Sequence, residues 1–216
     1  MTSRLYKHHQ KLRIMKFLFF DTETTGKPLA YGKSYTDLDN WPRVTQLAWL
    51  VADLEGTVLD AQNHLIKPDG WVIPKEQFFI DNNMSTERSM EHGVPIDGVI
   101  ELFMASKAIS DVLVAHNLAF DHPVMWAEIL RSGRQPRSGM LKVCTMMRST
   151  KYCNIPGKRG PKWPKLEELY QILFGKPFDG AHDALADITA TKDCFFELVR
   201  LGVIDPMAIE SMGVRA

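Results

Sequence analysis

Two runs with no polar side chain, Phe17-Leu18-Phe19-Phe20 and Val112-Leu113-Val114-Ala115, constrain this chain most. Each has the length of a strand rather than a helix, and each ends at once in polar residues able to do chemistry. A strand that is apolar at successive positions must be covered on both faces. A sheet between layers of helices meets that demand.

The rest of the sequence supplies those layers. Residues 16–20 read as the first strand, and residues 27–42 as a long loop carrying Tyr31, Tyr35 and Trp41. Residues 44–53 and 57–67 form two strand-like runs joined at Leu54-Glu55-Gly56, a hairpin signal. Residues 68–74 break the pattern, and 85–93 and 96–108 have helical periodicity. Residues 112–115 make a fourth strand and 141–144 a short fifth; a helix over 122–132 carries Pro123 in its first turn. The helix over 166–174 stops at Gly175-Lys176-Pro177, and 184–201 is the longest helix. A hairpin-rich start followed by alternating strands and helices predicts an α/β fold with a mixed sheet flanked by helices. No internal repeat or composition shift marks a second unit, so residues 15–216 are expected to form one domain. Residues 1–14, with Arg4, Lys7, His8, His9, Lys11 and Arg13, are expected to be a flexible basic extension.

Lys plus Arg and Asp plus Glu both number 26. No global positive field exists, so any nucleic-acid binding must use a local patch. Three cysteines without CxxC spacing argue against a disulfide framework and a zinc site, and fit a reducing, cytoplasmic setting. No apolar run is long enough to span a bilayer, and no secretory signal pattern is present.

Chemistry concentrates in three segments: Phe20-Asp21-Thr22-Glu23-Thr24-Thr25-Gly26, His116-Asn117-Leu118-Ala119-Phe120-Asp121, and His182-Asp183-Ala184-Leu185-Ala186-Asp187. Residues two apart on a strand face one side, so Asp21 and Glu23 can meet a common site. Alone, that pair could equally be two solvated acids at a strand end, and Asp121 could cap the helix at Pro123. His182 and Asp187 lie about 140° apart on an ideal helix. His182 therefore belongs on the approach loop and Asp187 within the helix, with Asp183 as the capping acid. Clustering Asp21, Glu23, Asp121 and Asp187 without counterions would be costly. Two hard divalent cations, Mg²⁺ or Mn²⁺, would relieve the repulsion and serve an in-line phosphoryl displacement. His182 has a suitable intrinsic pKa to take the proton from the attacking water.

These three segments, in this order, resemble the exonuclease motifs of the DEDDh 3′→5′ exonucleases. That family includes the proofreading epsilon subunit of bacterial DNA polymerase III, the Trex enzymes, RNase T and oligoribonuclease. The resemblance runs from about Lys16 to Ile204 and takes in Lys165-Leu166-Glu167-Glu168-Leu169-Tyr170 and Leu173-Phe174-Gly175. It implies a ribonuclease H-like fold with a mixed five-stranded sheet. It also implies Asp21, Glu23, Asp121 and Asp187 as metal ligands and His182 as general base. The expected substrate is a single-stranded or frayed 3′ end of DNA or RNA, shortened by release of nucleoside 5′-monophosphates. Thr24, Thr25, Asn117 and Phe120, from the same motifs, are expected nucleic-acid contacts. The loop over 27–42 is longer than in compact members. No long polymerase-binding tail follows the last helix, so the sequence does not support a polymerase partner.

The densest basic stretch holds Lys151, Lys158, Arg159, Lys162 and Lys165, with Trp163 among them. It reads either as a track for a nucleic-acid backbone, with Trp163 stacking on a base, or as a solvated loop with Trp163 a buried anchor. Tyr31, Tyr35 and Trp41 could form a lid or pack beneath their loop, and His116 is expected to orient its loop rather than bind metal. Met140, Leu141, Met146 and Met147 are expected in the core.

Overall fold

The computed structural model describes residues 15–136 and 139–209; the basic extension over residues 1–14 lies outside them. In chain order the elements are β1 (Phe17–Thr24), β2 (Val44–Ala52), β3 (Val58–Leu65), α1 (Gln77–Asp81), α2 (Thr86–His92), α3 (Ile96–Ala108), β4 (Val112–Ala115), α4 (Leu118–Arg131), β5 (Leu141–Cys144), α5 (Thr145–Cys153), the two-residue strands β6 (Pro156–Gly157) and β7 (Gly160–Pro161), α6 (Leu166–Phe174) and α7 (Ala184–Arg200). Five strands form one sheet in the order β3-β2-β1-β4-β5. β1 pairs antiparallel with β2 and parallel with β4, which pairs parallel with β5. The result is the expected mixed five-stranded sheet flanked by helices.

The alternation along β1 explains why its whole apolar run is buried. Phe17 and Phe19 face one core with Leu169 of α6 and Ile188, Phe195 and Leu198 of α7. Leu18 and Phe20 face the other, with Val99, Ile100 and Phe103 of α3 and Val124, Met125 and Ile129 of α4. Successive side chains of a strand point to opposite faces, so one strand serves two cores. The same alternation carries Asp21 and Glu23 onto the face covered by α7.

Several boundaries differ from expectation for identifiable reasons. β1 continues through the acidic motif to Thr24 because β2 pairs with it from Ala52 down to Val44. α4 begins at Leu118, not 122. Asn117 adopts a left-handed conformation (φ 68°), turning the chain so sharply that the helix starts at once. Pro123 therefore sits inside the helix, and Asp121 is no N-cap. α1, α5 and the β6–β7 hairpin are too short or too polar to stand out as periodic segments.

The long loop is tied down from below. Arg131 donates to the carbonyls of Leu38 (2.5 Å), Trp41 (2.7 Å) and Pro42 (3.3 Å). Buried Glu128 accepts from Arg43 Nε (2.7 Å), the Val44 amide (3.1 Å) and Arg131 (3.0 Å). Trp41 is buried and Tyr35 packs against the core, while Tyr31 is exposed. Two of the three loop aromatics thus pack beneath it. Met146 is buried as expected, but Met147 is exposed, because α5 turns its side chain outward.

Candidate active site

Three elements deliver four carboxylates to one end of the sheet. Asp21 and Glu23 come from β1, Asp121 from the first turn of α4 and Asp187 from the first turn of α7. Two of the four acids sit at helix N-termini, where the helix dipole favours negative charge. Asp121 is fixed by Thr22, whose backbone N–H (3.1 Å) and hydroxyl (2.8 Å) both donate to Oδ1. Thr22 lies between the two strand acids and points to the opposite face. One DTE triplet therefore contributes two acids directly and holds a third.

His182 is placed by a tight turn. Its backbone is left-handed (φ 71°), and the Asp183 amide closes the turn on the Gly180 carbonyl at 3.0 Å. Gly180 also has positive φ (83°), and a Cβ there would lie 3.1 Å from Ala186 Cβ, so the turn requires glycine. The His182 amide donates to Asp187 Oδ2 at 3.3 Å. Ligand atoms of Glu23, His182 and Asp187 all lie within 4.8 Å of one another. Asp183 caps α7, its Oδ1 accepting from the amides of Leu185 (3.0 Å) and Ala186 (3.2 Å). Its Oδ2 accepts from Gln46 at 3.1 Å, and Gln46 also donates to Asn63 at 2.9 Å. The capping role expected of Asp183 is what the hydrogen bonds show.

Among the described residues, no Lys or Arg pairs with any of the four carboxylates. Their protonation behaviour follows from that isolation. Burial, then the charges of Asp121, Glu23, Asp187 and Asp183, hold the Asp21 carboxyl well above the usual carboxylate range. Glu23 is pushed up to about 8 by burial and by Asp187, Asp121 and Asp183. Asp121 rises to about 7 through burial, opposed by the Thr22 hydrogen bonds. Asp187 rises to about 7 through burial, opposed by the His182 amide and reinforced by Glu167 and Asp183. Such a cluster is unfavourable by itself. Asp187 Oδ1 is moreover buried with no hydrogen-bond partner. All-oxygen donors, uncompensated negative charge and an orphaned carboxylate oxygen suit hard divalent cations such as Mg²⁺ or Mn²⁺.

The remaining expected site residues divide into two groups. Thr24 is buried, its hydroxyl donating to the Gly26 carbonyl at 2.7 Å, and Thr25 Oγ1 accepts from the Arg43 amide at 3.1 Å. Asn117 and Phe120 flank the start of α4, with Phe120 packed against the core. His116 lies between Thr145 Oγ1 (2.9 Å) and the Pro164 carbonyl (3.1 Å). Burial drives its pKa down to about 4, consistent with a neutral ring that orients its loop. The basic stretch forms a separate feature, in which Lys158 and Arg159 occupy the exposed tip between β6 and β7. Lys162 pairs with Glu168 at 2.5 Å. Trp163 is 63% exposed, which overturns its alternative role as a buried anchor. Sequence reasoning missed Thr22, which holds Asp121, Gln46 and Asn63, which are linked to the Asp183 cap, and Phe78, whose ring centroid lies 5.4 Å from that of His182. Only Thr22 carried a signal, its place inside the first motif.

No family model matches the chain, and no curated protein matches it. Solved structures do. A complex of E. coli exonuclease I with a dT13 oligonucleotide superposes with a TM-score of 0.67 at 20% identity, covering 86% of this chain and 41% of that one. The zinc-bound form of the E. coli exonuclease I–single-stranded DNA complex gives 0.70 at 21% identity, covering 92% and 42%. A product-bound structure of exonuclease I gives 0.68 at 18% identity, covering 92% and 46%. The chain spans less than half the length of these proteins, and what it shares with them is the ribonuclease H-like fold, a mixed five-stranded sheet flanked by helices.

Proposed function

We propose that the protein is a metal-dependent 3′→5′ exonuclease of DEDDh type, acting on single-stranded or frayed 3′ ends and releasing nucleoside 5′-monophosphates. The observation that carries this is the convergence of Asp21, Glu23, Asp121 and Asp187, unneutralised and with raised pKa values, beside a histidine. The fold shared with E. coli exonuclease I, solved with dT13 and dA16 oligonucleotides, supports single-stranded DNA as the substrate class.

The four carboxylates would hold two divalent cations, which when bound supply charge neutralisation and Lewis acidity to displacement at phosphorus. Thr22 fixes the orientation of Asp121, so that acid needs little reorganisation on loading. His182, on its turn beside Glu23 and Asp187, takes a proton from the attacking water. The water oxygen bonds to phosphorus, the P–O3′ bond breaks, and the shortened strand leaves with a 3′-hydroxyl. The exposed pair Lys158 and Arg159, with Trp163 nearby in sequence, provides phosphate contacts and a stacking surface for the strand.

The test is product analysis on matched 5′-labelled DNA and RNA oligomers with free or blocked 3′ ends. A ladder of single-nucleotide steps with 5′-mononucleotide products, abolished by a blocked 3′ end, is the expected result. Internal cleavage, or 3′-phosphate products, would overturn it. Faster turnover of the RNA oligomer would redirect the substrate to RNA within the same chemistry, since the acids address phosphate and not the 2′-hydroxyl.

A further inference from the structure

A general base is ordinarily held in place by a hydrogen bond to a third group. Here, among the described residues, no hydrogen bond fixes the His182 ring, and His182 is exposed on a left-handed turn. Among the described residues its one ring contact is Phe78, whose centroid lies 5.4 Å away at an interplanar angle of 74°. That is edge-to-face geometry, which aromatic pairs favour because a positive ring edge meets a negative face.

Phe78 is held there by its neighbour. α1 is only five residues long, and Phe79 is its one buried residue, packed with Ile73, Met84 and Trp71 in a small cluster that Trp71 joins to a main core. Adjacent helical residues lie about 100° apart, so seating Phe79 in that cluster turns Phe78 outward. Phe78 remains 46% exposed and rests against Phe79 at 5.5 Å, edge to face. His182 also lines a cavity of about 160 Å³, with Thr45, Asn83 and Ser89 among its walls. The contact with Phe78 is thus made on the side of the ring that the cavity leaves to it, at the start of the segment carrying α1.

We infer that Phe78 is a positioning residue for His182, setting the imidazole's orientation toward the carboxylate cluster. This rests on the proposed role of His182 as general base. An aromatic pair of this kind biases an equilibrium by a factor of about 2 to 12. Phe78→Ala should therefore lower kcat about 3- to 10-fold, leave single-strand affinity unchanged, and recover with Phe78→Tyr.

A double-mutant cycle is decisive, because a residue acting only through His182 has nothing to act on once the imidazole is gone. Phe78→Ala should slow the wild type but not the residual turnover of His182→Ala. In the metal-free protein, the His182 ring-proton resonances should move in Phe78→Ala and stay in place in Phe78→Tyr. Equal slowing in both backgrounds would overturn the inference. So would lost affinity with unchanged kcat, the signature of a base-stacking platform, or ring resonances indifferent to residue 78. Wild-type turnover by His182→Ala is a different result: it removes the general-base assignment itself, and this inference with it.

Discussion

Replacing Glu23 with Gln should stabilise the metal-free protein, increasingly so as pH rises from 6.5 to 8. Glu23 has its pKa raised from 4.5 to about 8 in the fold, so the folded protein binds that proton more tightly than the unfolded chain does. Its stabilising contribution is fully present below the unfolded value and is lost as pH rises through the folded one. Between pH 6.5 and 8 the loss comes to roughly 1.5–2 kcal/mol, from 1.36 kcal/mol per pH unit for a fully held proton and less near the pKa. For a chain of this size that is about 3–8 °C in Tm. Below pH 6.5 two histidines act in the opposite sense. His116 and His122, with pKa values lowered by burial to about 4 and about 3, lose stability for the fold as pH falls through the unfolded value. The window above 6.5 isolates the acids. Thermal unfolding followed by circular dichroism in chelator is the assay. The Tm gap between Glu23→Gln and wild type should widen with pH. Saturating Mg²⁺ should raise the wild-type Tm most at pH 8, since binding the native state adds stability by mass action and requires the ionised carboxylates. A gap that stays constant or closes with pH, or a Glu23→Gln variant less stable than wild type at pH 8, would refute the electrostatic picture.

Asp21→Asn and Asp187→Asn should each lower turnover by several orders of magnitude while leaving the far-ultraviolet spectrum unchanged. His182→Ala should cut kcat by about 10²–10⁴-fold with calorimetric Mn²⁺ affinity largely retained. Thr22→Val keeps the side-chain volume but removes the hydroxyl bond to Asp121, so metal affinity or activity should fall by about 10- to 100-fold. In Lys158→Ala/Arg159→Ala/Lys162→Ala, each lost phosphate contact should flatten the salt dependence of single-strand binding by about 0.7 in slope, with Lys162 contributing least because Glu168 already holds it. Trp163→Ala should weaken that binding without changing the Tm.

How much of this was legible in the sequence depended on how local the determining physics was. β1 and β4 announced themselves because four successive apolar residues can be satisfied in few ways, and the acids at their ends located the site. The DxE spacing placed Asp21 and Glu23 on one face because strand periodicity is exact over two residues. Asp183 was readable as a cap because that role depends only on the helix it begins. The start of α4 was misplaced because Pro123 is the visible helix-starting signal, whereas the actual device is Asn117 in a left-handed conformation. Thr22 on Asp121, Gln46 on Asp183 and Phe78 on His182 each join residues far apart in the chain, 99 and 137 positions for the first two, and no periodicity encodes such contacts. Trp163 illustrates the same limit in reverse. Its exposure follows from the small β6–β7 hairpin beside it, which is too short to show in the pattern.

The most direct test of the acidic cluster is anomalous diffraction from crystals soaked in Mn²⁺. Two peaks among Asp21, Glu23, Asp121 and Asp187, both lost in Asp21→Asn crystals, are the predicted result. Full Mn²⁺ loading elsewhere with no peak among these four carboxylates would contradict it.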